Sequence, residues 1–338
     1  MITTDVDLVD DKGFSFYDML NAVKYHTVHV THNDLDGVGC IVANRMISDV
    51  NDVADYVVCD SKNYENVLFA LGASTYARNI RRLYITDLPL KEQCIRALKF
   101  SSLPSGSIYI YDHHETKHET RADLIKLTGG HGPTIKSELL GKATCATELF
   151  YYANLSPSRG ASDATREFVT AVTLHDTFRW KTEPGLLSDL AYKLNLGFIG
   201  LNDTKRFVDL VVGALCDNIN KFELPDELIG MASREDANIK RFTLSDDMLY
   251  RHNFDGYKCI LIDMGKYARL GSYIASDVLE ANPDVDFVLY TQGENVQFRG
   301  HGKIDLGEYI RRFNGGGHFN AAGCSIEGFK DYIARKTA

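Results

Sequence analysis

The chain has 338 residues, 44% of them hydrophobic and 25% charged, with a formal net charge of −9. That length is comfortable for two domains and supplies a sizeable core. The acidic balance disfavours non-specific grip on long duplex DNA, and no run of about 18 apolar residues suggests a membrane span. The start, Met1-Ile2-Thr3-Thr4-Asp5, lacks the basic and apolar regions of a signal peptide. The cysteines, Cys40, Cys59, Cys94, Cys145, Cys216, Cys259 and Cys324, are scattered, odd in number and form no CxxC pair. Reduced thiols in a cytoplasmic protein are the expectation, and a zinc finger is not supported.

In chain order, a short helix is expected over 16–25. Val28-His29-Val30-Thr31-His32 reads as the first core strand and runs into Asn33-Asp34-Leu35-Asp36-Gly37, after which a helix extends to about 48. Strands are expected over 55–60, 82–87 and 107–111, with helices over 64–72 and 91–100 between them. This alternation predicts βαβ units and a parallel sheet. A loop follows at 129–133, then helices over 144–153 and 165–180. Residues 186–250 read as a helical, charged connector that could present an oligomer surface, so a homodimer is one expectation. A second alternation begins at Tyr257, with strands over 257–262, 285–290 and 295–302, helices over 270–281 and 305–313, and a last strand and helix over 321–335. The fold class expected is α/β and two-lobed: an N-terminal parallel sheet flanked by helices over 1–185, the connector over 186–250, and a smaller C-terminal α/β domain over 251–338. No internal repeat or low-complexity tract is present.

The chemistry lies at the ends of the strands. The first supplies His32, Asp34 and Asp36, the third Asp87, and the fourth Asp112, His113 and His114. The helix ending near 176 adds His175 and Asp176. Ligands gather at this carboxyl edge in open parallel sheets. Carboxylates and imidazoles without thiolates suit Mn, Mg or Fe, and the donors suffice for two ions. Pairs of ions about 3.5–4 Å apart catalyse in-line displacement at phosphorus. Each element also has a plainer reading. Asp34 and Asp36 could cap the helix after Gly37, Asp87 before Leu88-Pro89 could form a turn, His113 and His114 could be ordinary surface or core residues, and Asp176 could pair with Arg179. All of these would have to hold at once.

His32-Asn33-Asp34-Leu35-Asp36-Gly37, Thr86-Asp87, Asp112-His113-His114 and Leu174-His175-Asp176 resemble, in order, the four motifs of the DHH phosphoesterase family, over about the first 180 residues. The resemblance implies a two-manganese hydrolase of phosphodiester or phosphoanhydride bonds. It places His32, Asp34 and Asp87 on one metal and Asp36, Asp87, His113 and Asp176 on the other, with Asp87 bridging. His114 is implied as the electrostatic stabiliser or acid at the phosphate, with Asp112 orienting a histidine. One departure stands in the first motif. Many members acting on small substrates carry a histidine four residues before the Asp-x-Asp, where this chain has Val30; His32 takes the place at which the family's single-strand exonucleases have an acid. His118, His131 and His175 are given no functional role.

In the expected strand over 296–303, Gln297, Arg299, His301 and Lys303 share one face, with Val296 and Phe298 on the other. Gly315-Gly316-Gly317-His318 follows, a run that allows close backbone approach or an anion nest; a solvated edge and a hinge are the plainer readings. Together they resemble the DHH-associated C-terminal domain, which implies substrate binding by Arg299, His301, Lys303, Gly315, Gly316, Gly317 and His318. Family-II pyrophosphatases lack this segment. The resemblance is closest to the oligoribonuclease (nanoRNase) branch, with relatives acting on 3'-phosphoadenosine-type nucleotides of similar length. It implies short single-stranded RNA or small nucleotides, cut to mononucleotides in a cleft between lobes, with Mn preferred and Mg an alternative. A phosphodiesterase of cyclic or linear dinucleotides is the runner-up. A non-catalytic nucleic-acid-binding relative is the third reading.

Overall fold

The computed structural model describes residues 2–3, 27–48, 54–60, 63–74, 77–114, 118–155, 162–243 and 248–330. The helix expected over 16–25 lies outside them, as does the end of the last expected helix. The chain divides into two compact units, Met1–Ala232 and Ser233–Ala338.

The first unit opens with β1 (Ile2–Thr3), β2 (Thr27–His32), α1 (Leu35–Ile47), β3 (Asp55–Cys59), α2 (Tyr64–Ala73), β4 (Arg82–Thr86), α3 (Glu92–Lys99), β5 (Ile108–Asp112), α4 (His118–Leu127) and β6 (Thr134–Ile135). All six strands are parallel, in the order β1-β3-β2-β4-β5-β6. The period of two along each strand divides its side chains between two cores. Val28, Val30, Leu83, Ile85, Ile108 and Ile110 pack under α2, α3 and α4. Tyr56, Val58, Tyr84 and Tyr111 face the opposite side. That second face is covered by α1 and by helices from later in the chain, as a parallel sheet requires.

After β6 comes a small hairpin, β7 (Glu138–Leu139) and β8 (Lys142–Ala143). The helices α5 (Ala146–Asn154), α6 (Asp163–Asp176), α7 (Arg179–Thr182), α8 (Leu186–Leu201) and α9 (Thr204–Asp217) follow. The helix expected over 165–180 is two: Phe178 takes a left-handed backbone, φ 62°, and ends the ladder two residues beyond Asp176. Leu194, Phe207 and Val211, from the 186–250 segment, belong to the same core as α1, α5 and α6.

The helix α10 (Asp226–Thr243) contains the division between the units. The second unit then builds β9 (Leu249–Phe254), β10 (Tyr257–Ile262), α11 (Gly271–Ala281), β11 (Phe287–Gln292), β12 (Asn295–Gly300), α12 (Leu306–Ile310), β13 (Gly316–His318) and β14 (Ala321–Ser325). The sheet order is β13-β14-β12-β11-β10-β9. Only β10 and β11 run parallel, joined by the α11 crossover; the remaining pairs are antiparallel. Phe287, Phe298, Tyr309 and Phe313 fill its core. Among the described residues no helix is long and apolar enough to cross a membrane.

Candidate metal centre

Three neighbouring strands end at one edge of the first sheet. β2 ends on His32, β4 on Thr86 immediately before Asp87, and β5 on Asp112 before His113 and His114. The loop from β2 into α1 turns so tightly that a Cβ on Gly37 would lie 2.2 Å from the His32 carbonyl oxygen, so only glycine fits there. That turn sets Asp34 and Asp36 over the strand ends.

Asp34 caps its own helix, accepting the Gly37 amide at 3.0 Å. Asp36 caps a different one. Its carboxylate accepts the amides of Ala146 and Thr147, each at 2.8 Å, at the start of α5. Cys145, the residue in the capping position, makes no side-chain cap there. The capping role considered from sequence holds for Asp34, whereas Asp36 caps α5 instead of the helix after Gly37, and both acids also belong to the cluster. A helix N-terminus favours an anion, and the two amides fix the Asp36 carboxylate in a site where it is 1% exposed.

Around these acids the predicted ligands converge. His32 Nδ1 lies 2.8 Å from Asp34 Oδ2 and 3.7 Å from Asp87 Oδ2. His113 Nε2 lies 3.4 Å from Asp87 Oδ1, 3.6 Å from Asp176 Oδ2 and 3.8 Å from Asp36 Oδ2. Two sets of potential ligands result, His32 with Asp34 and Asp87, and Asp36 with His113 and Asp176, each with its donor atoms within 4.8 Å of one another. Asp87 turns Oδ2 toward the first set and Oδ1 toward the second. A third set, Asp87, His113 and His114, meets the same distance. Asp87 itself sits at φ 55°, a region that aspartate tolerates better than most residues and that recurs at functional sites.

The electrostatics test whether cations fit. Burial, and then the charges of Asp34, Asp36, Asp176 and Asp112, push Asp87 well above the usual carboxylate range. Burial and Asp36 do the same to Asp176. Burial opposes a charge on His113, yet Asp176, Asp36, Asp112 and Asp34 outweigh it and raise the imidazole. Oxygens Oδ2 of Asp87, Asp112 and Asp176 are buried without a hydrogen-bond partner. Crowded acids with orphaned oxygens are an unfavourable arrangement on their own, and divalent cations would relieve it. The donor set therefore fits hard or borderline divalent ions.

Asp112 has a separate task. Its Oδ1 accepts the amides of His113 at 2.9 Å and His114 at 3.3 Å, and lies 2.7 Å from His114 Nδ1. It therefore orients His114, the partner the sequence left unspecified. His131 stacks on Tyr109 at 4.6 Å and reaches the Ile108 carbonyl at 3.0 Å, a structural role.

Two curated relatives match most of the chain. Oligoribonuclease NrnB of Bacillus subtilis is 25% identical over 311 residues, 88% of this chain and 72% of that protein. The 3',5'-cyclic-nucleotide phosphodiesterase of Helicobacter pylori is 25% identical over 344 aligned positions, 90% of this chain and 93% of its own. No family model matches. Among solved structures, the DHH domain of a member of the s1p family of ribosomal proteins superposes with a TM-score of 0.61 at 12% identity, over 95% of this chain and 89% of that one. The chain shares the fold of that DHH domain.

Sequence reasoning missed what lies under the potential ligands of this cluster. Beneath the strand ends, buried His29 Nε2 is 2.8 Å from Thr86 Oγ1, which donates to Thr31 Oγ1 at 2.7 Å. The Thr31 hydroxyl reaches the Gly37 carbonyl at 3.0 Å. These residues precede Asp87 and His32 by one position and follow Asp36 by one. Polar residues at buried strand positions were the available signal.

In the second unit, β12 stops at Gly300, and Gly302 adopts φ 80°. His301 and Lys303 are therefore not on the strand with Arg299, which corrects the four-residue stripe. Arg299 is half-buried, bonded to Ser272 Oγ at 2.9 and 3.2 Å, and lies over the Tyr290 ring. Lys303 reaches the Pro283 carbonyl at 3.1 Å, and His301 is exposed. The glycine run is a strand rather than a loop: Gly316, Gly317 and His318 pair with Gly323, Ala322 and Ala321. A Cβ on Gly315 would lie 2.3 Å from the Gly323 carbonyl oxygen, so that glycine serves close packing.

Proposed function

We propose that the chain is a two-metal phosphodiesterase that hydrolyses short single-stranded oligoribonucleotides or small nucleotides to mononucleotides, with manganese as the preferred ion. One observation carries the reading: His32, Asp34, Asp36, Asp87, His113 and Asp176 converge at one sheet edge with Asp87 directed both ways. His32, Asp34 and Asp87 would hold one ion, and Asp36, Asp87, His113 and Asp176 the other. Bound there, the ions supply Lewis acidity and a water activated near neutral pH.

The residues' own part follows from their geometry. Asp36, fixed by two amides, resists displacement by the substrate's negative charge. Asp112 holds the proton of His114 on Nδ1, which turns Nε2 toward the reacting phosphate. His114 would then stand to deliver a proton from Nε2 to the departing oxygen as water adds to phosphorus and the phosphorus–oxygen bond of the leaving group breaks. Substrate binding in the second unit is assigned to Arg299, His301, Lys303, Gly315, Gly316, Gly317 and His318 on the strength of the motif.

The similarity to an oligoribonuclease favours short RNA; the similarity to a cyclic-nucleotide phosphodiesterase favours cyclic or linear dinucleotides as the second reading. A panel of an RNA dinucleotide, an RNA five-mer, a cyclic dinucleotide and pyrophosphate, each with Mn, ranks them. Fastest turnover of the two RNAs is expected. Hydrolysis of pyrophosphate alone would overturn the assignment.

A further inference from the structure

The hairpin of β7 and β8 closes through Leu140 and Gly141, both at positive φ, 53° and 75°. This is the pattern of a two-residue type I' turn, where asparagine or glycine is the usual first residue. A leucine there strains the backbone, and this one is 98% exposed. Packing within the fold thus gives no return for either cost. Backbone strain of this kind points toward function.

Beneath the hairpin tip lies a cleft of about 340 Å³, a size typical of small-molecule sites. Leu139 and Leu140 form one side, Tyr152 and Leu174 belong to the helices opposite, and Lys142 and Arg179 supply cations. Tyr152 is half exposed and braced edge-on by Tyr151. Arg179 is engaged by Glu183 and reaches the Ala143 carbonyl, so it steadies the hairpin; Lys142 is exposed. The cleft shares two helices with the acid cluster, α5, whose first amides hold Asp36, and α6, which ends on Asp176. Thr173 and Leu174, which line it, are within one turn of Asp176, and Thr173 Oγ1 lies 3.4 Å from Sγ of Cys145, the residue before the amides that hold Asp36.

We propose that this cleft is a nucleobase subsite. It would take the base of the nucleotide whose phosphodiester lies at the acid cluster, between the Tyr152 ring and the Leu140 side chain, with Lys142 meeting the next phosphate. Stacking on an aromatic ring is tolerant of sequence, because every base has a π-face. Arg179 is held by Glu183, and Glu148, which also lines the cleft, is engaged by the Thr144 hydroxyl; the apolar walls with Lys142 suit a short oligomer in which few bases are held. The inference rests on the phosphodiesterase reading and adds to it where the base sits.

Leu140→Asn and Tyr152→Ala, in the full chain with Mn, test it on two substrates: the RNA dinucleotide ApA, and bis(p-nitrophenyl) phosphate, which has no nucleobase. The ratio of kcat/KM for ApA to that for bis(p-nitrophenyl) phosphate is expected to fall about tenfold in each variant. Leu140→Asn should melt no lower than the parent protein, since asparagine suits the turn. An unchanged ratio in both variants overturns the subsite while leaving the phosphodiesterase reading intact. If the parent protein cleaves neither substrate, that reading falls, and equilibrium binding of 5'-AMP then decides the cleft. About tenfold weaker binding to Tyr152→Ala supports the subsite; equal binding, or none to the parent protein, overturns it.

Discussion

The Asp36 carboxylate accepts the backbone amide of Ala146 at 2.8 Å, although 110 positions separate the two residues. One acid thereby anchors the start of α5 and stands in the cluster of potential ligands. Asp36→Asn retains an oxygen acceptor for the cap but loses the charge, whereas Asp36→Ala loses both. Turnover should fall about a hundredfold or more in each. Thermal or urea unfolding should find the alanine variant less stable than the asparagine variant by about 1 kcal/mol. Equal stability of the two would show that the cap contributes nothing.

Asp87 is crowded by four other carboxylates. In chelator-treated protein, Asp87→Asn should therefore raise the melting temperature, because it removes an acid whose ionisation burial and its neighbours oppose. Asparagine also accepts the φ of 55°, so Asp87→Ala should be about 1 kcal/mol less stable than Asp87→Asn. Adding Mn at a hundred times its dissociation constant should stabilise the parent protein by about 2.7 kcal/mol and Asp87→Asn by far less. A melting temperature that rises equally in both would remove Asp87 from the ion sites.

The pair Asp112 and His114 predicts a rate effect with little change in ion binding. His114→Gln should lower kcat by about 10² to 10⁴, and Asp112→Asn by about 10 to 10². Titration calorimetry with Mn should give near-parental affinity for His114→Gln. Loss of ion binding in that variant would make His114 a ligand, as its proximity to Asp87 and His113 also permits.

Burial lowers the pKa of His29 from 6.5 to about 3. Between those values the unfolded chain binds a proton that the folded chain does not, so stability rises with pH across this window and is lost as pH falls. By pH 4 the loss amounts to about 3 kcal/mol. His29→Gln can keep the contact with Thr86 without titrating. Urea midpoints measured from pH 7 to pH 4 should decline less steeply for this variant, and parallel declines would rule out His29 as a source of acid sensitivity.

The central sheet was legible because its strands are short apolar runs separated by amphipathic helices, and Asp34, Asp36, Asp87, Asp112 and His113 could be placed at its edge by counting strand ends. Local pattern carries less where an element is short or its partner remote. The β7–β8 hairpin has two-residue strands and a Leu-Gly turn that lacks the usual Asn-Gly signal. Exposed Tyr250, Arg251, His252 and Asn253 gave β9 no hydrophobic alternation. Gly316 and Gly317 read as a hinge or close-approach run because glycine is poor in strands, whereas pairing with β14 decides their state, and a Cβ on Gly317 would lie 2.5 Å from the Ala321 carbonyl oxygen. The amides that fix Asp36 come from a helix no local reading could connect to it.

The most direct measurement is an anomalous difference map at the manganese edge from crystals grown with Mn. A two-ion centre predicts two peaks about 3.5–4 Å apart, both contacted by Asp87, one with His32 and Asp34 and the other with Asp36, His113 and Asp176. A single peak, or peaks that Asp87 does not join, would contradict it.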